Sequence, residues 1–119
     1  MKKESIENLI KKYNFPLKKV IIESGLMLKS DELICDLGFS QKNILLISDN
    51  NLIKISNNIA SNVKNNKLEK LILEDPTADD VNVNIIKNEI KNIDLILAVG
   101  SGTINDLCKI TSYQNNIPY

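Results

Sequence analysis

Short apolar runs without polar interruption alternate along this chain with longer stretches in which apolar residues return every third or fourth position. The runs are residues 20–22, 44–47, 71–73 and 95–99. Helical spacing links Ile6, Leu9, Ile10 and Tyr13, then Leu33, Ile34 and Leu37, then Leu52, Ile55, Ile59 and Val63. It returns at Val83, Ile86, Ile90 and Ile93, and again at Ile104, Leu107 and Cys108. A strand with one wet face alternates polar and apolar residues, whereas a continuous apolar run marks a strand covered on both sides. Such strands, interleaved with amphipathic helices, predict an α/β fold. The expected form is an open, doubly wound, mainly parallel Rossmann-like sheet with helices on both faces. The chain has 119 residues, enough for one domain, 1–119. Ile117-Pro118-Tyr119 reads as the opening of a fifth strand, so the expected sheet is truncated before that strand.

Breakers and caps divide the elements. Pro16 ends the first helix. Ser24-Gly25 closes the first strand, Ser30 is expected to cap the next helix, and Gly38 to end it. Asp75-Pro76-Thr77 is a turn, and Gly100-Ser101-Gly102 turns the last strand into the last helix. In open α/β sheets ligands bind beyond the carboxyl ends of the strands. Two loops with useful chemistry stand there: Ser48-Asp49-Asn50, and Gly100-Ser101-Gly102-Thr103.

Composition narrows the chemistry. Fifteen lysines and no arginine balance fifteen acidic residues, giving a net charge of zero. With only 4% aromatic residues, this excludes a phosphate-backbone or base-stacking surface, so no nucleic acid partner is expected. No run is long enough to span a membrane and no signal peptide is evident, which points to the cytoplasm. Cys35 and Cys108 stand far apart in apolar helical patterns and are expected as reduced thiols. The sequence has no histidine, so it offers no His-based triad and no His-ligated metal.

The glycine loop is the most informative segment. Glycine at a strand end allows a sharp turn and close approach of a ligand. The helix that follows directs free N–H groups and partial positive charge at the same point, which suits a pyrophosphate. The bland alternative is a tight turn with Thr103 as helix cap. The usual dinucleotide fingerprint is incomplete, because Asn105 takes the third glycine position and Asp49 precedes the glycines instead of following them. Asp49 at a strand end either accepts hydrogen bonds from a ribose diol or caps the next helix within Asp49-Asn50-Asn51. Asp106 and Lys109, three residues apart, form either a solvated ion pair or part of a ligand cleft.

Residues 94–109, from Asp94 through Gly100-Ser101-Gly102-Thr103-Ile104-Asn105-Asp106 to Lys109, and then Ile117-Pro118-Tyr119, resemble the signature of the sn-glycerol-1-phosphate dehydrogenases. That family belongs with the iron-containing alcohol dehydrogenases, glycerol dehydrogenase and dehydroquinate synthase. A G-G-G-x-x-x-D-x-x-K pattern marks the group, and Ser101 replaces its middle glycine here. Weaker agreement covers the strand ending near Gly25, the strand ending in Ser48-Asp49, and Pro76-Thr77-Ala78-Asp79.

The resemblance implies the amino-terminal, NAD(P)-binding part of a two-domain enzyme. Gly100, Ser101, Gly102, Thr103 and Ile104 would hold the cofactor pyrophosphate, and Asp49 the adenosine ribose, favouring NAD over NADP. Asp106 and Lys109 would lie near the nicotinamide. The implied reaction is reversible reduction of dihydroxyacetone phosphate to sn-glycerol 1-phosphate, a step of phospholipid biosynthesis. A divalent metal, zinc or nickel, is expected only in the full-length enzyme, because the family's aspartate and histidine ligands lie downstream. No catalytic residue and no metal ligand is assigned within this chain, which alone is expected to be inactive. The full-length form leaves room for a homo-oligomer.

Three other readings compete. One is another polyol or alcohol dehydrogenase of the same superfamily. A second is a non-catalytic nucleotide-binding remnant. A signalling receiver domain needs an acidic pair at its first strand, where this chain has Glu23-Ser24-Gly25, so that pattern fails.

Overall fold

The computed structural model describes residues 24–119. The expected opening helix and the run at residues 20–22 lie outside them. Three strands form one parallel sheet: β1 (Asn43–Asp49), β2 (Lys67–Leu73) and β3 (Leu95–Val99), in the order β2-β1-β3. Four helices alternate with them: α1 (Ser30–Asp36), α2 (Ile53–Asn62), α3 (Asp80–Lys87) and α4 (Gly102–Asn115).

Strand alternation sends the side chains of β1 to two cores. Leu45 and Ile47 join Leu73, Ile96, Val83, Ile86, Ile104, Leu107 and Cys108, which places α3 and α4 on one face. Ile44 joins Ile34, Val63 and Leu95, with Phe39, Leu68 and Leu97 against them, which places α1 and α2 on the other. The sheet is open and helix-covered on both faces, as the uninterrupted apolar runs require. Ile44, Leu46 and Ile47 are fully buried. Each such side chain contributes roughly 1.5–3 kcal/mol by leaving water, so β1 is the spine of the domain.

The strands extend beyond their apolar runs. β2 begins at Lys67, and Lys67, Glu69 and Lys70 are exposed. Among the described residues β2 is an edge strand, where charges are tolerated and discourage further pairing. The expected fifth strand is not formed at residues 117–119. The Ile96 N–H nevertheless donates to the Pro118 carbonyl (2.9 Å), so this segment lies along the free side of β3.

Four local expectations need correction. Ser30 does not cap α1. A 3₁₀ turn over Leu26–Lys29 runs directly into the helix, and the Ser30 hydroxyl donates back to the Met27 carbonyl (2.7 Å). The expected apolar face of α2 is rotated. Ile55 is exposed while Ser56 is fully buried, because Leu52, Ser56, Ile59 and Val63 make the stripe that meets the sheet. α3 stops at Lys87, so Ile90 and Ile93 lie in the turns beyond it, although both still pack on the core. Thr103 is the second residue of α4; the N-cap is Ser101.

Gly38 does end α1 as expected. Its φ is 93°, its N–H donates to Cys35 (3.0 Å), and the Phe39 N–H donates to Ile34 (3.1 Å). That pair of bonds is a Schellman cap, and Phe39 packs on the cluster containing Ile34.

Candidate functional site

From β1 the chain crosses outward to β2, then returns past β1 to β3. The connections therefore diverge between β1 and β3, the place where open α/β sheets leave a crevice. The register settles what stands there. Ser48 pairs with Val99, the last residue of β3, so Asp49 and Gly100 are the residues that follow at the ends of two adjacent strands. Two loops separated by fifty residues of sequence thus meet at one point.

Gly100 has no room for a side chain. A Cβ there would stand 2.6 Å from Ile104 Cγ1 and 2.7 Å from Ile104 Cβ. Ile104 is fully buried and β-branched, so it cannot swing away. The backbone of Gly100 consequently packs directly against the side chain of Ile104 in the first turn of α4. Ile104 packs into the core, and only its backbone can belong to the site.

Gly102 is the opposite case. Nothing lies within 4 Å of a Cβ placed there, so the space above the first residue of α4 is open. Ser101 makes no side-chain hydrogen bond to the helix end. The first N–H groups of α4 are thus left to other partners, and the helix dipole adds partial positive charge. By contrast Asp79 caps α3, accepting from the Asn82 N–H (3.0 Å). A pyrophosphate fits the α4 terminus: close backbone, open space and unmatched donors coincide there.

Asp49 is 7% exposed. One carboxylate oxygen accepts from the Asn51 N–H (2.8 Å) and begins the 3₁₀ turn Asn50–Leu52. The turn-capping alternative for Asp49 is therefore realised. Its other oxygen has no protein partner among the described residues, so the capping bond leaves it able to accept from a ligand.

Asn50, part of the strand-end loop expected from sequence but given no role of its own there, bridges to the loop after β2. Its Oδ1 accepts from the Asp75 N–H (2.9 Å), and its Nδ2 donates to Asp75 Oδ1 (3.4 Å). Only the asparagine beside a strand end hinted at this, and asparagines are common throughout the chain. Two buried hydroxyls, Ser48 and Ser56, lack hydrogen-bond partners among the described residues; Ser48 belongs to the strand-end loop expected from sequence, whereas Ser56 carried no sequence signal.

A profile of the iron-containing alcohol dehydrogenase family matches residues 21–119. The chain belongs to the iron-containing alcohol dehydrogenase family. Its fold is similar to that of glycerol dehydrogenase from Schizosaccharomyces pombe, with a TM-score of 0.65 at 20% sequence identity. The match covers 77% of this chain and 24% of that one, so the chain spans about a quarter of the solved enzyme's length. No curated protein is significantly similar to this chain in sequence.

Asp106 and Lys109 both lie exposed on α4, facing away from the core residues Ile104, Leu107, Cys108 and Thr111. They form no ion pair with each other, so the ion-pair reading is not realised. Among the described residues no three His, Cys, Asp or Glu side chains gather as metal ligands. These residues thus do not fit the metal that the family's name implies. A shallow depression lined by Asn43, Lys67, Glu69, Lys91 and Asn92 lies at the opposite, amino-terminal end of the strands and holds none of the predicted site residues. No described helix is long and apolar enough to cross a membrane.

Proposed function

We propose that this chain is the dinucleotide-binding part of an NAD(P)-dependent oxidoreductase. We take its reaction to be reversible hydride transfer between the cofactor and dihydroxyacetone phosphate, giving sn-glycerol 1-phosphate. The observation that carries this reading is the register of Ser48 with Val99, after which Asp49 and Gly100 leave adjacent strand ends, together with the start of α4, which Ser101 does not cap by its side chain. The N–H groups of Gly102, Thr103 and Ile104 receive the pyrophosphate, with Ser101 at the rim. The second oxygen of Asp49, without a partner among the described residues, accepts from the adenosine ribose hydroxyls and repels a 2′-phosphate, which favours NAD over NADP. Asp106 and Lys109 line the nicotinamide side of the cleft. The bound nicotinamide supplies the hydride, and these residues supply position and charge. The metal-binding half of such an enzyme is carried by residues other than these.

A second reading takes glycerol or another polyol as substrate. The likeness to a glycerol dehydrogenase favours it. Both readings share the cofactor site, and one pair of experiments separates them. NADH titrated into the wild type should bind, and Gly102→Ala should weaken binding about tenfold or more, because its methyl group fills the open space over the helix start. Equal affinity in both proteins would remove the site. Turnover of the complete polypeptide with dihydroxyacetone phosphate, and not with dihydroxyacetone, supports the first substrate; the reverse preference supports the second.

A further inference from the structure

We propose that Asn50 is a positioning residue for cofactor recognition, acting through Asp49 without touching the cofactor. The inference rests on the dinucleotide reading above. Asp49 ends β1, and the 3₁₀ turn that follows begins with a bond from the Asn51 N–H to Asp49 Oδ1. That bond fixes one carboxylate oxygen. It does not fix how the whole turn sits relative to the neighbouring loops.

The carboxamide of Asn50 does this. It accepts from the Asp75 backbone N–H and returns a longer bond to the Asp75 carboxylate. Asp75 sits at φ 38°, a left-handed conformation that costs a non-glycine residue energy and persists only where its surroundings hold it. The partners are well matched in position, because Asp49 pairs with Leu73 and so Asn50 follows opposite Glu74. The bridge ties the end of β1 to the end of β2. Asp49 thereby sits between two fixed points: Ser48 before it pairs with Val99 of β3, and Asn50 after it is tied to the loop that follows β2.

Removing the carboxamide should leave the fold intact, since Asn50 is only half-buried. The turn gains freedom, and Asp49 spends less time in the orientation that meets a ribose diol. The loss should then fall on ligands that use Asp49 and spare those that do not. An isolated hydrogen bond of this kind corresponds to about fivefold in affinity.

The test is a thermodynamic cycle on the full chain, with NADH and NADPH as probes and thermal melting as a control on folding. Wild type, Asn50→Ala, Asp49→Ala and the double variant are titrated with each. The expected result is that Asn50→Ala weakens NADH about fivefold, leaves NADPH binding as strong or slightly stronger, and has no further effect on the Asp49→Ala background. Equal losses for both cofactors, or the same loss with and without Asp49, would overturn the positioning role while keeping the site. Failure of wild type to bind NADH would overturn the dinucleotide reading and this inference with it. Asn50→Asp supplies a second check: it keeps an acceptor for the Asp75 N–H but sets two carboxylates together. Its NADH affinity should fall at least as far as that of the alanine variant.

Discussion

Gly100 and Gly102 are two residues apart and read alike in sequence, yet the structure gives them different duties. At Gly100 a methyl group would meet a rigid, fully buried Ile104 at 2.6 Å. Gly100→Ala should therefore destabilise the domain by about 2 kcal/mol through overpacking, visible as a lower midpoint in urea unfolding. An unchanged midpoint would mean that α4 can move off the strand. Gly102→Ala should leave the midpoint unchanged or raise it slightly, because alanine favours helix. Sequence alone could name the glycine loop but not assign these roles, since both depend on what stands over each Cα. The same limit applies to Asp49. Its position at a strand end was legible, whereas its place next to the end of β3 needed the register of Ser48 with Val99.

Among the elements, the strands and the Schellman end of α1 were legible because apolar runs and a glycine at positive φ are local signals. The face of α2 was not. Ile55 looked like a core residue, but the turn after β1 sets the helix phase and puts Ser56 inward. The start of α3 carries its own test. Asp79 accepts from the Thr77 hydroxyl and the Asn82 backbone, and these bonds hold its carboxyl below the ordinary value of 3.8. A depressed folded pKa contributes stability that is present above 3.8 and is lost as pH falls through the folded value. Asp79→Ala should lower the melting temperature by a few degrees at pH 7. Asp79→Asn, which still caps, should keep most of that stability and lose the acid dependence that this carboxylate adds. An identical acid slope in the wild type and Asp79→Asn would show that the cap does not couple to protonation.

At the scale of the whole domain, the two cysteines report on how cooperatively these layers hold together. Cys35 is half-buried near the end of α1, where its sulfur accepts from the Ser40 hydroxyl (3.2 Å). Cys108 is fully buried between α4 and the sheet, and burial pushes its thiol up from 9.0 to about 12. It remains a thiol at pH 7 and reacts poorly even where reagent can reach it. A thiol reagent should therefore label Cys35 in the native protein, whereas Cys108 should be labelled only when the central strand and α4 separate. Saturating NADH, bound at the junction of β1, β3 and α4, should slow labelling of Cys108 in proportion to ligand excess and leave Cys35 unaffected. The pH dependence has a definite sign. A folded pKa raised above the unfolded one means that stability is retained below 9.0 and lost as pH climbs from 9.0 towards 12. Cys108→Ala removes that contribution, so the stability gap between wild type and variant should narrow over this range. A constant gap, or labelling of Cys108 as fast as Cys35, would mean that α4 opens independently of the sheet, and the start of α4 would then be a poor platform for a cofactor.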